Sequence, residues 1–279
     1  MSDGTARCWG SNSNGQLGDG TTADRLTPVA VTGLADVRQL AAGLQHTCAL
    51  LRDRTVRCWG ANLAGQVGDG TTQQRAVPTT VGGLSGVSSL AVSLDHTCAI
   101  VGAGEVRCWG RNAYGQLGDG TTTNRAIPVG VPGLAGVTSV AAGAGHTCAV
   151  LASGAVSCWG QNAHGQLGDG TTTDRGAPGP VVGLSNAVRV SLAGDQSCAV
   201  LADGTLTCWG RNGNGQLARD PITERVDYPS PVPVALTGAS PAFSSTRNTE
   251  ARASPRPRSR LARRRPGPRH APCARPAAR

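Results

Sequence analysis

The chain has 279 residues, of which 15% are charged and only 3% aromatic, with 40 glycines and ten cysteines. Its formal charge of +9 is concentrated from Phe243 onward, where 11 of the 26 basic residues and one of the 17 acidic residues lie; the rest is near neutral and carries no electrostatic footprint for nucleic acid. No apolar run approaches the roughly 18 residues of a membrane-spanning helix, and the glycine content favours short strands between tight turns over helices.

Cys8-Trp9-Gly10 comes first and recurs as Cys58-Trp59-Gly60, Cys108-Trp109-Gly110, Cys158-Trp159-Gly160 and Cys208-Trp209-Gly210, at a constant interval of 50 residues. A fixed period of this size marks stacked copies of one supersecondary unit. Ahead of Cys8, Met1-Ser2-Asp3-Gly4-Thr5 aligns with the turn Leu201-Ala202-Asp203-Gly204-Thr205. The chain therefore starts inside a hairpin, and Cys8 is expected to lack its partner strand. No secretory signal precedes the turn, which is not a sign of the cytoplasm.

The next unit shows the pattern in full. Residues 37–42, 46–51 and 55–59 are strand candidates, the last two joined by Arg52-Asp53-Arg54. The matching loops Gly102-Ala103-Gly104, Ala152-Ser153-Gly154 and Ala202-Asp203-Gly204 end in glycine, which suits a three-residue hairpin with a left-handed last residue. Arg54 departs from this and predicts local strain. Such a loop sets Leu51 against Thr55, Leu50 against Val56 and Cys48 against Cys58. The same register opposes Cys98 to Cys108, Cys148 to Cys158 and Cys198 to Cys208, close enough for cross-strand disulfides. Persistent disulfides point to an oxidising compartment.

A glycine-rich stretch follows, Asn62 to Thr72, with equivalents around Gly15 to Gly20, Gly115 to Gly120 and Gly165 to Gly170. Its single apolar residue (Leu17, Val67, Leu117, Leu167) is read as a plug into the core. The Pro-bearing segments at Pro28, Pro78, Pro128 and Pro178 read as a fourth, edge-like strand. Four short antiparallel strands per unit describe a propeller blade.

Gly43-Leu44-Gln45-His46-Thr47, Trp59-Gly60 and Asn62-Leu63-Ala64-Gly65-Gln66-Val67-Gly68 together resemble the repeat of the regulator of chromosome condensation family, over roughly residues 1–242. The resemblance implies a seven-bladed propeller as the closed form. It also implies nucleotide exchange on a small nuclear GTPase in the founding members, through a wedge loop. The unbroken register from Cys8 to Cys208 leaves no insertion for such a wedge. Plant ultraviolet-B photoreceptor relatives carry tryptophan where this chain has Leu44, Leu94, Ala144 and Gly194. The added cysteine pair looks like that of bacterial extracytoplasmic members.

Each repeated residue has competing readings. His46, Cys48 and Cys58 would give three metal ligands, but the fifth copy has Gln196 in place of the histidine and keeps Cys198 and Cys208, which favours disulfides. His46, His96 and His146 recur without a Ser or Asp partner, as residues tying strand to loop rather than as catalysts. Trp9, Trp59, Trp109, Trp159 and Trp209 are read as packing between blades, with a carbohydrate-stacking ring as the rival. Asp19, Asp69, Asp119 and Asp169 lie six residues before Arg25, Arg75, Arg125 and Arg175; ion pairs are simpler there than calcium, whose loops need clustered carboxylates. Residues that differ between copies lie between Trp-Gly and Gly-Gln. They include Leu63, Arg111, Tyr114, Gln161, His164 and Arg211, which form a candidate binding rim on a rigid scaffold.

The expected architecture is all-β: an incomplete β-propeller of about four and a half blades, with units near 1–36, 37–86, 87–136, 137–186 and 187–242. A closed five-bladed ring is the alternative. Residues 243–279 are Arg/Pro-rich and expected to be disordered. Their readings are a shifted reading frame that truncates a longer array, or a basic tail for anionic surfaces; whether Cys8 pairs with Cys273 stays open. The expected function is a non-enzymatic, extracytoplasmic scaffold for a protein partner, as in the secreted propeller inhibitors of β-lactamase. No cofactor, no metal and no membrane span are expected. The alternatives are an exchange-factor-like regulator of a small GTPase and a carbohydrate-binding or enzymatic propeller.

Overall fold

The computed structural model describes residues 4–217, 226–234 and the backbone of 273–274. No helix occurs among the described residues, and so none is long and apolar enough to cross a membrane. The described residues form one three-stranded and four four-stranded antiparallel sheets. The second sheet runs in order through β3 (Val37–Ala42), β4 (His46–Leu51), β5 (Val56–Gly60) and β6 (Arg75–Thr80). The third consists of β7 (Ser89–Val92), β8 (His96–Val101), β9 (Glu105–Gly110) and β10 (Arg125–Gly130). The fourth holds β11 (Val137–Ala142), β12 (His146–Leu151), β13 (Val156–Gly160) and β14 (Arg175–Pro180). The fifth holds β15 (Ala187–Ala193), β16 (Gln196–Leu201), β17 (Leu206–Gly210) and β18 (Tyr228–Pro233). Contacts between successive sheets run mainly through their first strands, with help from the second. The first strands therefore line the inside of the arc, and the fourth strands its outside. Among the described residues the arc does not close, which makes the fold an incomplete propeller.

The central hairpin of each blade has a three-residue turn, with Leu50 opposite Val56 and Cys48 opposite Cys58. Arg54 takes the left-handed conformation, with φ of 65°, where Gly154 and Gly204 have 82° and 85°. Alternation along a strand sends neighbouring residues to opposite faces, and here both faces are buried. Cys48, Leu50, Val56 and Cys58 face forward and pack with Val87, Leu90 and Trp109 of the next blade. Ala49, Leu51 and Trp59 face backward and pack with Cys8, Leu17 and Val31 of the preceding one. The hydrophobic core is thus a series of seams between blades.

The first sheet corrects one expectation. β1 (Arg7–Gly10) is flanked by β2 (Arg25–Ala30) on one side and by the two-residue β19 (Cys273–Ala274) on the other. Cys8 lies opposite Cys273 in the register, and Cys8 is itself in disulfide form. Cys8 therefore does have a strand beside it, supplied from near the other end of the chain. Apart from those two residues, the stretch 243–279, expected to be disordered, lies outside the described residues. Backbone pairing needs no side-chain pattern, so an Arg/Pro-rich sequence can still supply a short strand.

Candidate functional site

Below the rim, every seam is built alike. Trp59 Nε1 donates to Gln16 O at 2.9 Å, Trp109 to Gln66 O at 3.0 Å, and Trp159 and Trp209 to Gln116 O and Gln166 O at 2.9 Å each. All four tryptophans are fully buried, whereas Trp9 is half-buried. The same carbonyls accept from hydroxyls: Thr47 to Gln16 at 3.0 Å, Thr97 to Gln66 at 3.5 Å, Thr147 to Gln116 at 2.9 Å and Ser197 to Gln166 at 2.8 Å. A hydroxyl has one proton, and it is spent on the carbonyl. His46, His96 and His146 therefore donate from Nε2 to Thr97, Thr147 and Ser197 of the next blade, at 2.9, 2.9 and 2.8 Å. These fully buried imidazoles are neutral. Burial pushes His46 down to about 4, slightly opposed by the Leu94 backbone, and His146 to about 3. Burial and then the neighbouring histidines push His96 to about 3.

Cys48–Cys58, Cys98–Cys108, Cys148–Cys158 and Cys198–Cys208 are disulfides. The first three are fully buried against the tryptophan of the following blade. Among the described residues, no cluster of His, Cys, Asp or Glu is arranged to hold a metal ion.

The glycine-rich loop after each Trp-Gly is folded around a buried asparagine. Asn62 Oδ1 accepts from Val67 N at 2.9 Å, and its Nδ2 donates to Thr71 O at 3.0 Å and Gln73 O at 2.9 Å. Arg75 Nε reaches Asp69 Oδ2 at 2.6 Å, and Arg25 reaches Asp19 at 2.7 Å. Burial acts to raise Asp19, Asp69, Asp119 and Asp169, but bonds from Thr21, Thr71, Thr121 and Thr171, aided by the arginines, leave all four lowered. The loop leans over the next blade, where Gly20, Gly70 and Gly120 N donate to Ala76, Ala126 and Gly176 O. Asn12, Asn62, Asn112 and Asn162 and the Gln16 series were passed over as individual residues in the sequence. Their signal was present: an Asn and a Gln recur at the same place in every copy.

The six rim residues sit on top of this constant frame. Leu63 is 89% exposed and Tyr114 37%. Because the loops lean forward, Tyr114 and His164 meet the next blade, whereas Arg111 and Arg211 pair within their own. Tyr114 lies over Gly145 beside Gln161, so closely that a methyl on Gly145 would come within 3.1 Å of the Tyr114 ring. His164 Nδ1 bonds Asp227 Oδ2 at 2.7 Å, and its Nε2 lies 4.0 Å from Asp195 Oδ2, which also pairs with Arg211 at 3.3 Å. Arg111 pairs with Asp95 at 3.5 Å, next to the exposed Leu94. Leu63 stands apart from these groups. The partners Asp95, Gly145, Asp195 and Asp227 come from other loops, 16 to 63 residues away where measured, and sequence spacing did not reveal them.

Four-stranded sheets, joined by buried tryptophan seams and carrying variable loops on one rim, define a repeat propeller. The model of the RCC1-like domain matches residues 1–249, and the chain belongs to that family. The Ultraviolet-B receptor UVR8 of Arabidopsis thaliana is 42% identical over 53 residues, 18% of this chain and 12% of the receptor. Human WBSCR16 has a similar fold, with a TM-score of 0.72 and 25% identity over 82% of this chain and 62% of that one. Yeast RCC1 (Prp20), solved bound to Kap60, gives 0.73 and 24% over 83% and 58%. The chain thus spans about 60% of the length of these propellers and a small part of the receptor.

Proposed function

We propose that this chain is a non-enzymatic, extracytoplasmic scaffold that binds a protein partner through the rim made by Leu63, Arg111, Tyr114, Gln161, His164 and Arg211. One observation carries this reading: identical seams hold up side-chain groups that differ from blade to blade. An apolar tip, an aromatic-amide pair and two charged clusters give a surface of mixed chemistry, of the kind protein interfaces use. Buried disulfides along the array favour an oxidising compartment. Kinship with an exchange factor rests on fold likeness, which does not transfer function.

Affinity capture from the native extracytoplasmic fraction tests the proposal. Leu63→Asp with Tyr114→Ala should abolish capture of any specific partner, while Val188→Asp, at a 53% exposed site beside the hairpin turn of residues 152–154 at the other end of the strands, should leave it intact. Equal capture by both variants would refute the rim.

A further inference from the structure

At the end of the strands opposite the rim, the second blade departs from its sisters four times, each time to arginine: Arg38, Arg52, Arg54 and Arg57. In the three following blades the first three positions hold small or neutral residues, Ser88, Gly102 and Gly104 in the third blade, and the fourth stays arginine only once, as Arg107. Arg52 and Arg54 stand in the turn between β4 and β5, and Arg57 is the second residue of β5. Arg38 sits in β3 at the register shift beside Val37, which lies opposite Leu51. Arg38, Arg52 and Arg54 are exposed, and Arg57 bonds Gly33 O at 3.2 Å. Arg54 keeps a φ of 65° where its sister loops have glycine, a conformation that disfavours any residue with a Cβ. Strain retained at an exposed position points to a use for the side chain. Three carboxylates share this end of the second and third blades, Asp36, Asp53 and Glu105. Asp53 is engaged by Thr55, through N at 2.9 Å and Oγ at 2.7 Å. Five guanidiniums against three carboxylates leave a local positive excess. Leu51 beside the turn is buried, and no exposed large apolar side chain lies in the turn itself. A membrane surface would call for one, whereas a soluble polyanion does not.

We propose that this end of the second and third blades binds a soluble anionic polymer with phosphate groups in series, which Arg38, Arg52, Arg54, Arg57 and Arg107 pair with along its length. Arginine forks match phosphate oxygens. Guanidiniums mounted separately on a turn and three strands, rather than around a cavity, suit several linked anions better than one. Both blades are flanked by other blades, and the site is independent of the rim.

Phenylglyoxal modification of arginines in the full chain, mapped by peptide mass spectrometry, tests this with inorganic polyphosphate as the probe. Polyphosphate should shield Arg52, Arg54 and Arg107, and added salt should reverse the shielding. Arg189, exposed at the same end of the fifth blade, should stay as reactive as before. Orthophosphate at the same phosphate concentration should shield none of them. The triple variant Arg38→Ser, Arg52→Gly, Arg54→Gly takes the residues of the third blade and should fold as that blade does. It should need at least about tenfold more polyphosphate to shield Arg107, because three phosphate contacts are lost. Shielding confined to arginines after residue 243, shielding of Arg189 equal to that of Arg54, or an Arg107 response unmoved in the triple variant would overturn the proposal. So would shielding by phosphatidylglycerol vesicles but not by polyphosphate.

Discussion

At the scale of single residues, two positions show how backbone conformation and packing decide identity. Gly118 has φ of 73°, and a Cβ there would lie 2.6 Å from the Trp159 indole nitrogen. Gly118→Ala therefore meets left-handed strain and overpacking together, and should cost about 3 kcal/mol, read as a lower midpoint in urea. Arg54 is the reverse case, a bulky residue at φ of 65°. Arg54→Gly removes strain but adds unfolded-state entropy, so the net gain should be at most about 1 kcal/mol. The strain at Arg54 was readable in the sequence, because three sister loops end in glycine. The need for Gly118 was not, because the indole it accommodates comes from the next blade.

At the scale of the element, the hairpin and its neighbours fix which face each residue serves. A three-residue turn makes the register legible, and alternation places Cys and Trp on opposite faces. Alternation does not say which neighbour each face meets, and only the packed blades show disulfides looking forward and tryptophans backward. The short strand beside β1 was illegible for another reason: it pairs through backbone alone, without periodic side chains. The histidines add a pH dependence to each seam. Their folded pKa values, from about 3 to about 4, lie below the ordinary 6.5. Between those limits the unfolded chain binds more protons, so stability is complete above pH 6.5 and falls as pH drops towards 4. Each histidine contributes up to about 1.4 kcal/mol per pH unit in this window. His96→Gln should flatten the fall in urea midpoint between pH 6.5 and 4; an unchanged slope would mean that the imidazole is not neutral in the seam.

At the scale of the whole molecule, the arc separates constancy from variation. The seams repeat the same Trp, Gln, Thr or Ser and, in three cases, His contacts, while the rim above them changes chemistry at every blade. The candidate rim was partly legible, since differences between otherwise matching copies mark its positions. The clusters were not, because His164 meets Asp195 and Asp227 only when one blade's loop lies over the next. If the rim is a recognition surface rather than part of the packing, it should be dispensable for folding. The most direct measurement is thermal unfolding of one variant in which Leu63, Arg111, Tyr114, Gln161, His164 and Arg211 are all replaced by Ser, beside the single seam variant Trp109→Ala. The rim variant should unfold within a few degrees of wild type, whereas Trp109→Ala, which loses about 3–5 kcal/mol, should unfold far lower. A rim variant that unfolds as early as Trp109→Ala would contradict the account, because those six residues would then belong to the packing.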